Sequence, residues 1–499
     1  MTDRPAAARQ SLAPQLLPPL LRALFFSEQP AVPCDACIQT HISWVLLAGD
    51  YAYKFKKPLK LAFLDFSTLA LRKHYCEEEL RLNQRYAPDL YLDVMPIYGT
   101  PEHPAWSGVG GPIEYALRMR RFDDRARLDR VCERGELSPA HLTGLARNVV
   151  AFHQSAQIAR PGSAFASVAT IRQQALDNLD ALCAMAKDAT TRALRQWTEQ
   201  QCRLLGPLME RRQQQGWVRE CHGDLHLGNM VLRDEKVTLF DCLEFSEELR
   251  WIDVASDLAF TWVDLLAHQR PGLASWFLNE ALLWSGDYAS APLLRFYAVY
   301  RALVRAKVAS LRLLQVAGDA SEVLAYVALA ERLAAPPPVR LVITHGLSGC
   351  GKTRATNELL QNDPNASTLR LRSDVERKRL AGLLSTAPSG SPLDGGIYSA
   401  AAQQQTYTRL HTLAGLLLRA GWSVIVDATF LKRSERDAFR ALAQDLGLAF
   451  EILAPQASAD QLRQRIQARS VLGHDASEAT LEVLERQIRT IEPLGADEQ

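Results

Sequence analysis

The pattern of apolar and polar positions in the first part of the chain predicts a small strand-rich unit. The apolar run Trp44–Leu47 and the mixed run Tyr51–Phe55 flank a Gly49-Asp50 turn signal, which is typical of a β-hairpin. A charged stretch over 69–86 follows with helical spacing. Residues 38–120 are therefore expected to form strands with one helix.

The pattern changes further along the chain. Residues 138–335 are mostly helical in their spacing, interrupted by short apolar runs near 230 and 239 that predict strands. A small lobe over about 38–120 followed by a larger helical lobe over about 121–335 predicts an α+β unit of two lobes. Such an arrangement holds a ligand in the cleft between its lobes.

A boundary is visible near residue 336. The run Ala334-Ala335-Pro336-Pro337-Pro338 cannot continue the helical pattern before it, because proline lacks the amide donor and clashes with the preceding turn. The apolar run Val339–Thr344 that follows predicts a buried strand, and similar runs recur at 368–372 and 422–427. The expected domains are 1–335 and 336–499, the second an α/β unit with a mostly parallel sheet.

Composition and charge exclude several classes of protein. Of 499 residues, 47% are hydrophobic and 23% charged, which is ordinary for a globular chain and excludes a disordered or collagenous one. Lysine plus arginine number 57 against 56 acidic residues, so the net charge of +1 favours neither nucleic acid nor a membrane surface. No apolar run reaches the roughly 18 residues needed to span a bilayer.

The remaining compositional signals indicate a cytoplasmic protein. Pro14, Pro18 and Pro19 interrupt the apolar stretch that could have served as a signal peptide. The nine cysteines are scattered, which is typical of reduced thiols. Cys34 and Cys37 form a single C-x-x-C without the second ligand pair of a zinc site, so we interpret it as incidental.

The stretch His222–Asn229 carries the chemistry of the first part. Asp224 and Asn229 are five positions apart on a predicted loop, and Asp241 ends the predicted strand over 237–240. In phosphotransfer sites an aspartate at this spacing accepts the proton of the attacking hydroxyl, while the asparagine and a second carboxylate hold magnesium. Taken singly, each of these residues also fits a turn or a helix cap.

The motif H-G-D-x-H-x-x-N followed by a strand ending in aspartate resembles the aminoglycoside phosphotransferase and choline kinase group of kinase-like folds, over about residues 38–330. The resemblance implies ATP between two lobes and phosphate transfer to a small-molecule hydroxyl. It assigns Asp224 as the base, and Asn229 and Asp241 as magnesium ligands. Lys54 and Glu79 match the lysine that reaches the phosphates and its glutamate, with Lys56 and Glu78 as open alternatives.

The resemblance also implies a hinge strand over 115–120, and it has departures. No G-x-G-x-x-G loop is present, and the Ala48-Gly49-Asp50 turn is the available substitute for covering the phosphates. Asp257 fits a helix N-cap that supports the site. Helical segments near 170–215 and 262–290 are expected to line the acceptor pocket.

The second part contains G-x-x-x-x-G-K-[ST] over 346–353, between a predicted strand and a predicted helix. Backbone amides of such a loop wrap the phosphates at a helix N-terminus. Lys352 is expected to reach the β and γ phosphates, and Thr353 to bind magnesium. The predicted loop residues in contact with ATP are Gly346, Ser348, Gly349, Cys350, Gly351, Lys352 and Thr353.

Three further pairs or single residues follow predicted strands or lie on one helix face. Asp374 and Arg377, after the strand 368–372, are candidates for activating an acceptor hydroxyl and holding an anionic group. Asp427, after the next strand, is placed for the magnesium shell or the acceptor. Arg465 and Arg469 suit a closing lid over the phosphoryl group, and equally a solvated helix with i,i+4 pairs.

Residues 339–492 resemble the P-loop kinase group of gluconate kinases, polynucleotide kinases and zeta-type toxins. The whole chain resembles bacterial proteins in which an aminoglycoside phosphotransferase-like domain is fused to an ATP-binding P-loop domain. The resemblance implies ATP and magnesium as cofactors and a small molecule, unidentified by the sequence, as acceptor. No membrane contact and no specific protein partner is predicted.

Two alternatives stay open at this point. One is a polynucleotide or nucleotide kinase in the C-terminal part with a non-catalytic N-terminal part, which the net charge and the lack of a basic stripe disfavour. The other is a nucleotide-sensing regulator that binds ATP without turnover. The missing glycine loop favours the regulator for the first part, while the intact phosphate loop argues against it for the second.

Overall fold

The computed structural model describes residues 17–26, 33–61, 64–183, 188–313, 319–385, 387–391, 395–472 and 478–498. The chain begins with a six-stranded antiparallel sheet in the order β1-β2-β3-β8-β6-β7. The elements of this lobe are α1 (Pro19–Phe26), β1 (Ala36–Gln39), β2 (Ser43–Ala48), β3 (Tyr51–Lys56), β4 (Lys60–Leu61), β5 (Leu64–Asp65), α2 (Leu69–Asn83), β6 (Tyr91–Gly99), β7 (Pro104–Ala105) and β8 (Glu114–Arg120).

The local sequence explains the hairpin and the helix of this lobe. Gly49 sits at the β2–β3 turn with φ of +56°, a left-handed conformation that glycine adopts without a steric penalty. Thr68 caps α2, its hydroxyl accepting a hydrogen bond from the Leu71 amide at 3.3 Å. The predicted hairpin and helix are both confirmed.

The next part of the chain is a helical lobe with four short strands. Its elements are α3 (Leu128–Glu133), α4 (Pro139–Ser155), α5 (Val168–Leu182), α6 (Asp188–Gln214), β9 (Val218–Glu220), β10 (Met230–Arg233), β11 (Lys236–Leu239), α7 (Glu247–Arg250), β12 (Trp251–Asp253), α8 (Val254–Ala267), α9 (Pro271–Ser285), α10 (Ala291–Leu313) and α11 (Ser321–Ala334). Helix α8 is buried from Val254 to Leu266, so it is the central helix of this lobe.

A four-stranded parallel sheet in the order β14-β15-β13-β16 follows. The elements are β13 (Arg340–Thr344), α12 (Lys352–Gln361), β14 (Thr368–Arg372), α13 (Ser373–Leu380), α14 (Ala400–Arg419), β15 (Ser423–Asp427), α15 (Arg433–Asp445), β16 (Ala449–Leu453), α16 (Ala459–Leu472) and α17 (Leu481–Thr490). Three of these strands match predicted runs. The sequence did not single out β16, whose alternate positions are more exposed.

The fold class is confirmed: a two-lobed kinase-like fold precedes an α/β unit with a parallel sheet of the P-loop type. The two parts share one hydrophobic core, which runs from α8 and α10 into β13, β15 and α14. Trp422 is fully buried there, with its indole Nε1 donating to the Ala291 carbonyl at 3.0 Å and its ring 5.3 Å from that of Trp262.

Helix α9 covers the free edge of the parallel sheet. The Asn279 side chain donates from Nδ2 to the Thr368 carbonyl at 2.9 Å and accepts from the Arg370 amide at 2.7 Å, so it pairs with β14 as a neighbouring strand would. At the start of α9, an added Cβ on Gly272 would lie 2.0 Å from the Gln361 carbonyl oxygen of α12. Only glycine permits this approach.

Two further findings concern the whole chain. Within the described ranges, no helix is both long and apolar enough to cross a membrane. All nine cysteines are described and none forms a disulfide, Cys34 and Cys37 included.

Candidate active sites

The loop that carries Asp224 and Asn229 lies between β9 and β10 at the floor of the cleft between the two N-terminal lobes. The Asn229 amide donates from Nδ2 to the Asp224 carboxylate at 2.9 Å and to its carbonyl at 3.0 Å. Because Nδ2 is the donor in both hydrogen bonds, Oδ1 is the atom of the Asn229 side chain that can bind a cation. The structure thus brings the predicted pair together.

Asp257 fixes this loop from below, in a different way from the one expected. Its carboxylate accepts hydrogen bonds from the backbone amides of His222 and Gly223 at 3.2 and 3.1 Å, and His153 Nε2 lies 3.0 Å away. The N-cap of α8 is Asp253, so the N-cap interpretation of Asp257 was wrong although its supporting role holds. Gly223 has φ of +81°, and an added Cβ would meet the Leu249 carbonyl oxygen at 2.9 Å.

The environment of Asp224 keeps it ionised. Burial by itself would raise the pKa of this carboxyl, but His226, whose Nε2 lies 3.4 Å away, and Arg305 on α10 together hold the pKa well below its usual range. Asp224 is therefore a carboxylate that can accept a hydrogen bond from an acceptor hydroxyl. Neither His226 nor Arg305 was assigned a role from the sequence.

Lys54 on β3 joins the two sides of the cleft. Its Nζ lies 2.7 Å from Glu79 Oε1 on α2 and 2.6 Å from Asp241 Oδ1. Burial would lower the pKa of Lys54, but the carboxylates of Asp241 and Glu79 outweigh it and raise the pKa well above the ordinary value. The predicted lysine and glutamate form an ion pair, and the predicted metal ligand Asp241 adjoins it.

The alternatives left open by the sequence take other positions. Lys56 is fully buried and pairs with Glu79 Oε2 and with Glu244. Glu78 pairs with Arg81 and Arg250 at 2.9 and 3.3 Å. Of the two lysines, Lys54 is the one that lines the cleft.

Asp241 adopts a left-handed backbone conformation, with φ of +61°, which is uncommon outside glycine, asparagine and aspartate. The backbone amide of Asp241 donates a hydrogen bond to the Tyr91 hydroxyl at 2.9 Å, and this contact fixes the turn. Asp241 and Asn229 both line the cleft, and carboxylate and amide oxygens are the ligands magnesium prefers. This donor set fits a divalent cation.

The turn between β1 and β2 lines the cleft with Thr40, His41 and Ile42. His41 in this turn lies close enough to Asp224 and Asp241 for their charges to act on its imidazole. Thr40 shapes the turn, its hydroxyl accepting from the Ile42 and Ser43 amides at 3.3 and 2.9 Å. Gly49 and Asp50 of the predicted covering turn also line the cleft, and the Asp50 carbonyl accepts a hydrogen bond from the Arg121 amide at 2.9 Å.

The cleft is large, at about 2600 Å³. Its lining confirms parts of the expected acceptor wall, from α5 and from the end of α8. Helices α10 and α11 also line it, which the sequence did not indicate.

The second site is the phosphate loop between β13 and α12. Gly346, Gly349 and Gly351 have φ of +137°, +86° and +103°, so only glycines allow the loop to wrap in this form. The Thr353 hydroxyl donates to Asp427 Oδ2 at 3.0 Å. The hydroxyl predicted to bind magnesium thus lies beside the carboxylate predicted to contact the magnesium shell or the acceptor.

Hydrogen-bond donors of the phosphate loop are bonded to other groups of the protein. Lys352 Nζ donates to the carbonyls of Gly346 and Leu347 at 2.9 and 2.8 Å. The Ser348 amide donates to Gln487 Oε1 of α17 at 2.8 Å. Cys350 packs under the loop against Leu462, Ile466 and Leu484 of α16 and α17.

The candidate acceptor and lid residues of this site are placed as follows. Arg377 Nη1 lies 2.6 Å from Asp374 Oδ1 on α13, and its guanidinium stacks 5.2 Å from the centre of the Tyr398 ring. Arg465 donates to the Gly349 carbonyl at 3.2 Å, so α16 contacts the phosphate loop. The side chain of Arg469 lies outside the described residues.

Comparison with known proteins identifies both parts. The model of the "Phosphotransferase enzyme family" matches residues 116–294, and that of an "AAA domain" matches 341–494. Uncharacterized protein Rv2004c of Mycobacterium tuberculosis is 32% identical over 448 residues, covering 88% of this chain and 87% of that protein. The chain belongs to the family of this mycobacterial protein. Uncharacterized protein Mb2027c of Mycobacterium bovis matches it with the same identity and coverage.

Family membership confirms the resemblance seen in the sequence: a phosphotransferase-type domain is joined to a P-loop domain. Two solved structures are more distant. An ethanolamine kinase of Plasmodium vivax is 9% identical, with 62% of this chain and 84% of that chain covered and a TM-score of 0.40. A choline/ethanolamine kinase family protein of Mesorhizobium loti is 12% identical, with 64% and 94% covered and a TM-score of 0.39. Both TM-scores lie below 0.5, so neither likeness supports a functional conclusion.

Proposed function

We propose that this protein is an ATP- and magnesium-dependent phosphotransferase with two nucleotide sites. The cleft site transfers the γ-phosphoryl group of ATP to a hydroxyl of a small molecule. The observation that carries the proposal is the single cleft in which Lys54 bridges Glu79 and Asp241 opposite the hydrogen-bonded pair of Asp224 and Asn229.

Each residue of the cleft has a chemical task in this reaction. The Asp224 carboxylate accepts the hydrogen bond of the acceptor hydroxyl and then its proton, as the hydroxyl oxygen bonds to the γ phosphorus and the bond to the β-phosphate oxygen breaks. Lys54, held by Glu79, binds the phosphate oxygens. Asn229 and Asp241 would hold magnesium, which neutralises phosphate charge. The products are ADP and the phosphorylated acceptor.

The P-loop site supports a second nucleotide. Lys352 and the loop amides bind phosphates, and Thr353 with Asp427 would hold its magnesium. The ion pair of Arg377 with Asp374 lies beyond the carboxyl end of β14, where acceptors bind in open α/β sheets. Asp374 is the proposed base of this site and Arg377 its anion-binding group.

A specific observation favours a second candidate function for the C-terminal part, that of a nucleotide-sensing regulator. Gln487 and the Gly346 and Leu347 carbonyls occupy the donors that a nucleotide phosphate would use. A domain that exchanges these contacts for ATP would change the position of α17 on binding, with or without turnover. In either case the unpaired thiols and the use of ATP fit a cytoplasmic protein with a small-molecule acceptor.

The test uses the full chain, because the two parts share a core. Wild type, Asp224→Asn, Lys352→Ala and the double variant are incubated with magnesium and γ-labelled ATP. The acceptor panel contains sugars, sugar acids, nucleosides, aminoglycosides and 5′-hydroxyl oligonucleotides. Labelled product that Asp224→Asn abolishes and Lys352→Ala preserves supports the cleft kinase. Label lost only in Lys352→Ala moves the activity to the P-loop site, and no label in any reaction favours the regulator.

A further inference from the structure

The far wall of the cleft lies beyond Asp224 and is formed by α5, α10 and α11. Arg305 of α10 and Asp224 line the same cleft, so this wall faces the loop that carries Asp224. Val304 and Val308 line the cleft from the same helix and make part of the wall apolar. An acceptor whose hydroxyl contacts Asp224 would rest against this wall.

Lys307 of α10 contributes a cation to this wall. Its Nζ donates to Asn178 Oδ1 of α5 at 3.3 Å, and among the described residues it forms no ion pair. By contrast, Arg312, five residues further along α10, pairs with Glu322 at 2.9 Å. Lys307 is half-buried and lines the cleft, so its charge faces the volume in which the acceptor would lie.

Asn178 adds a second unsatisfied donor at the same point. It is 5% exposed, lines the cleft, and its Nδ2 has no hydrogen-bond partner in the described part of the chain. A buried amide without a partner is unfavourable, so a ligand oxygen at this position would stabilise the bound state. Gln174 and Tyr300, hydrogen-bonded to each other at 3.3 Å, line the cleft from the same two helices.

We propose that the acceptor of the cleft site is an anionic small molecule, whose carboxylate or phosphate group is bound by Lys307 Nζ and Asn178 Nδ2 while Val304 and Val308 contact its carbon skeleton. This inference rests on the proposed function of the cleft.

The test lets the protein select its acceptor. The full-length Lys352→Ala variant and the same variant carrying Asp224→Asn are incubated with γ-labelled ATP, magnesium and a bacterial small-molecule extract. The Asp224-dependent labelled product is isolated intact, and its mass and its charge in electrophoresis at pH 7 give the charge of the acceptor once the transferred phosphoryl group is subtracted. We expect an anion. A neutral or cationic acceptor would overturn this inference alone, whereas the absence of any Asp224-dependent label would refute the proposed function and this inference with it.

Single substitutions, assayed with the isolated acceptor, then test Lys307 and Asn178. Lys307→Met should raise the KM for the anionic acceptor about tenfold or more, with the KM for ATP unchanged, because a charge-assisted hydrogen bond is lost. Lys307→Arg should restore most of the affinity, and Lys236→Met, an exposed lysine outside the cleft, should behave as wild type. An unchanged acceptor KM in Lys307→Met, with Asn178→Ala also unchanged, would remove these two residues from the acceptor site.

Discussion

At the scale of single residues, two lysines of one strand bind the same glutamate and have different roles. Lys54 and Lys56 alternate with Phe55 on β3, so both point to one face of the sheet and both reach Glu79. Lys54 forms a second ion pair with Asp241 in the cleft, whereas Lys56 forms its second ion pair with the buried Glu244. The first contact belongs to a ligand site, and the second connects β3 to the helical lobe inside the protein.

The two substitutions should therefore separate activity from stability. Lys56→Met should lower the free energy of unfolding by about 3–5 kcal/mol, because Glu244 keeps a buried charge without its partner. Lys54→Met should leave stability closer to wild type, since Glu79 retains Lys56, but should remove phosphotransfer from the cleft. Urea unfolding and the label assay check both, and equal stability losses in the two variants would contradict the distinction.

From the sequence, two candidates stayed open for the lysine of this site and two for its glutamate. The motif around Asp224 is local, so a spacing of five residues was sufficient to find Asn229. Lys54 and Lys56 share the same strand face, and Glu78 and Glu79 share the same helix, so no local pattern separates them. His41 lies far from Asp224 along the chain, and its position over the cleft follows from the packing of the two lobes.

At the scale of elements, α17 acts on the phosphate loop. The Gln487 side chain accepts a hydrogen bond from the Ser348 amide at 2.8 Å. Leu484 of the same helix packs with Cys350 in one apolar cluster. A phosphate oxygen of a nucleotide would use the same amide, so nucleotide and Gln487 compete for it. The loop itself was predicted from its glycines, but this partner was not, because it lies more than a hundred residues away in sequence.

Removal of the competing side chain should strengthen nucleotide binding. Gln487→Ala, made in the Lys54→Met background so that only the P-loop site is read, should increase ATP affinity about fivefold, since the hydrogen bond that the nucleotide displaces contributes about 1 kcal/mol. Titration calorimetry measures the change. Arg489→Ala, exposed on the same helix, is the matched control. Affinity that falls in Gln487→Ala would mean that this side chain binds nucleotide instead.

At the scale of the whole molecule, the kinase-like part and the P-loop part are one packed unit. Trp422 inserts between α8 and α10, and Asn279 completes the edge of the parallel sheet. The sequence indicated the proline-rich junction but not this contact. Helix α8 is buried on every side although it carries Asp257 and Asp264, and its mostly apolar sequence predicts burial without saying which neighbour covers each face.

Thermal unfolding should follow from this shared core. The wild type should unfold in one cooperative transition, and Asn279→Ala should lower the free energy of unfolding by about 1–3 kcal/mol because the Thr368 carbonyl and Arg370 amide lose their partner. Asn365→Ala, an exposed position after α12, is the control and should change little. Scanning calorimetry decides, and two separate transitions in the wild type would contradict the shared core.

The central claim is that one chain holds two magnesium–ATP sites, and counting bound nucleotide tests it most directly. Titration calorimetry on the full chain, with a non-hydrolysable ATP analogue and magnesium, should give two sites in the wild type. It should give one each in Lys54→Met and Lys352→Ala, and none in the double variant. A wild type that binds a single nucleotide, with that binding intact in Lys54→Met or in Lys352→Ala, would contradict the claim of two sites.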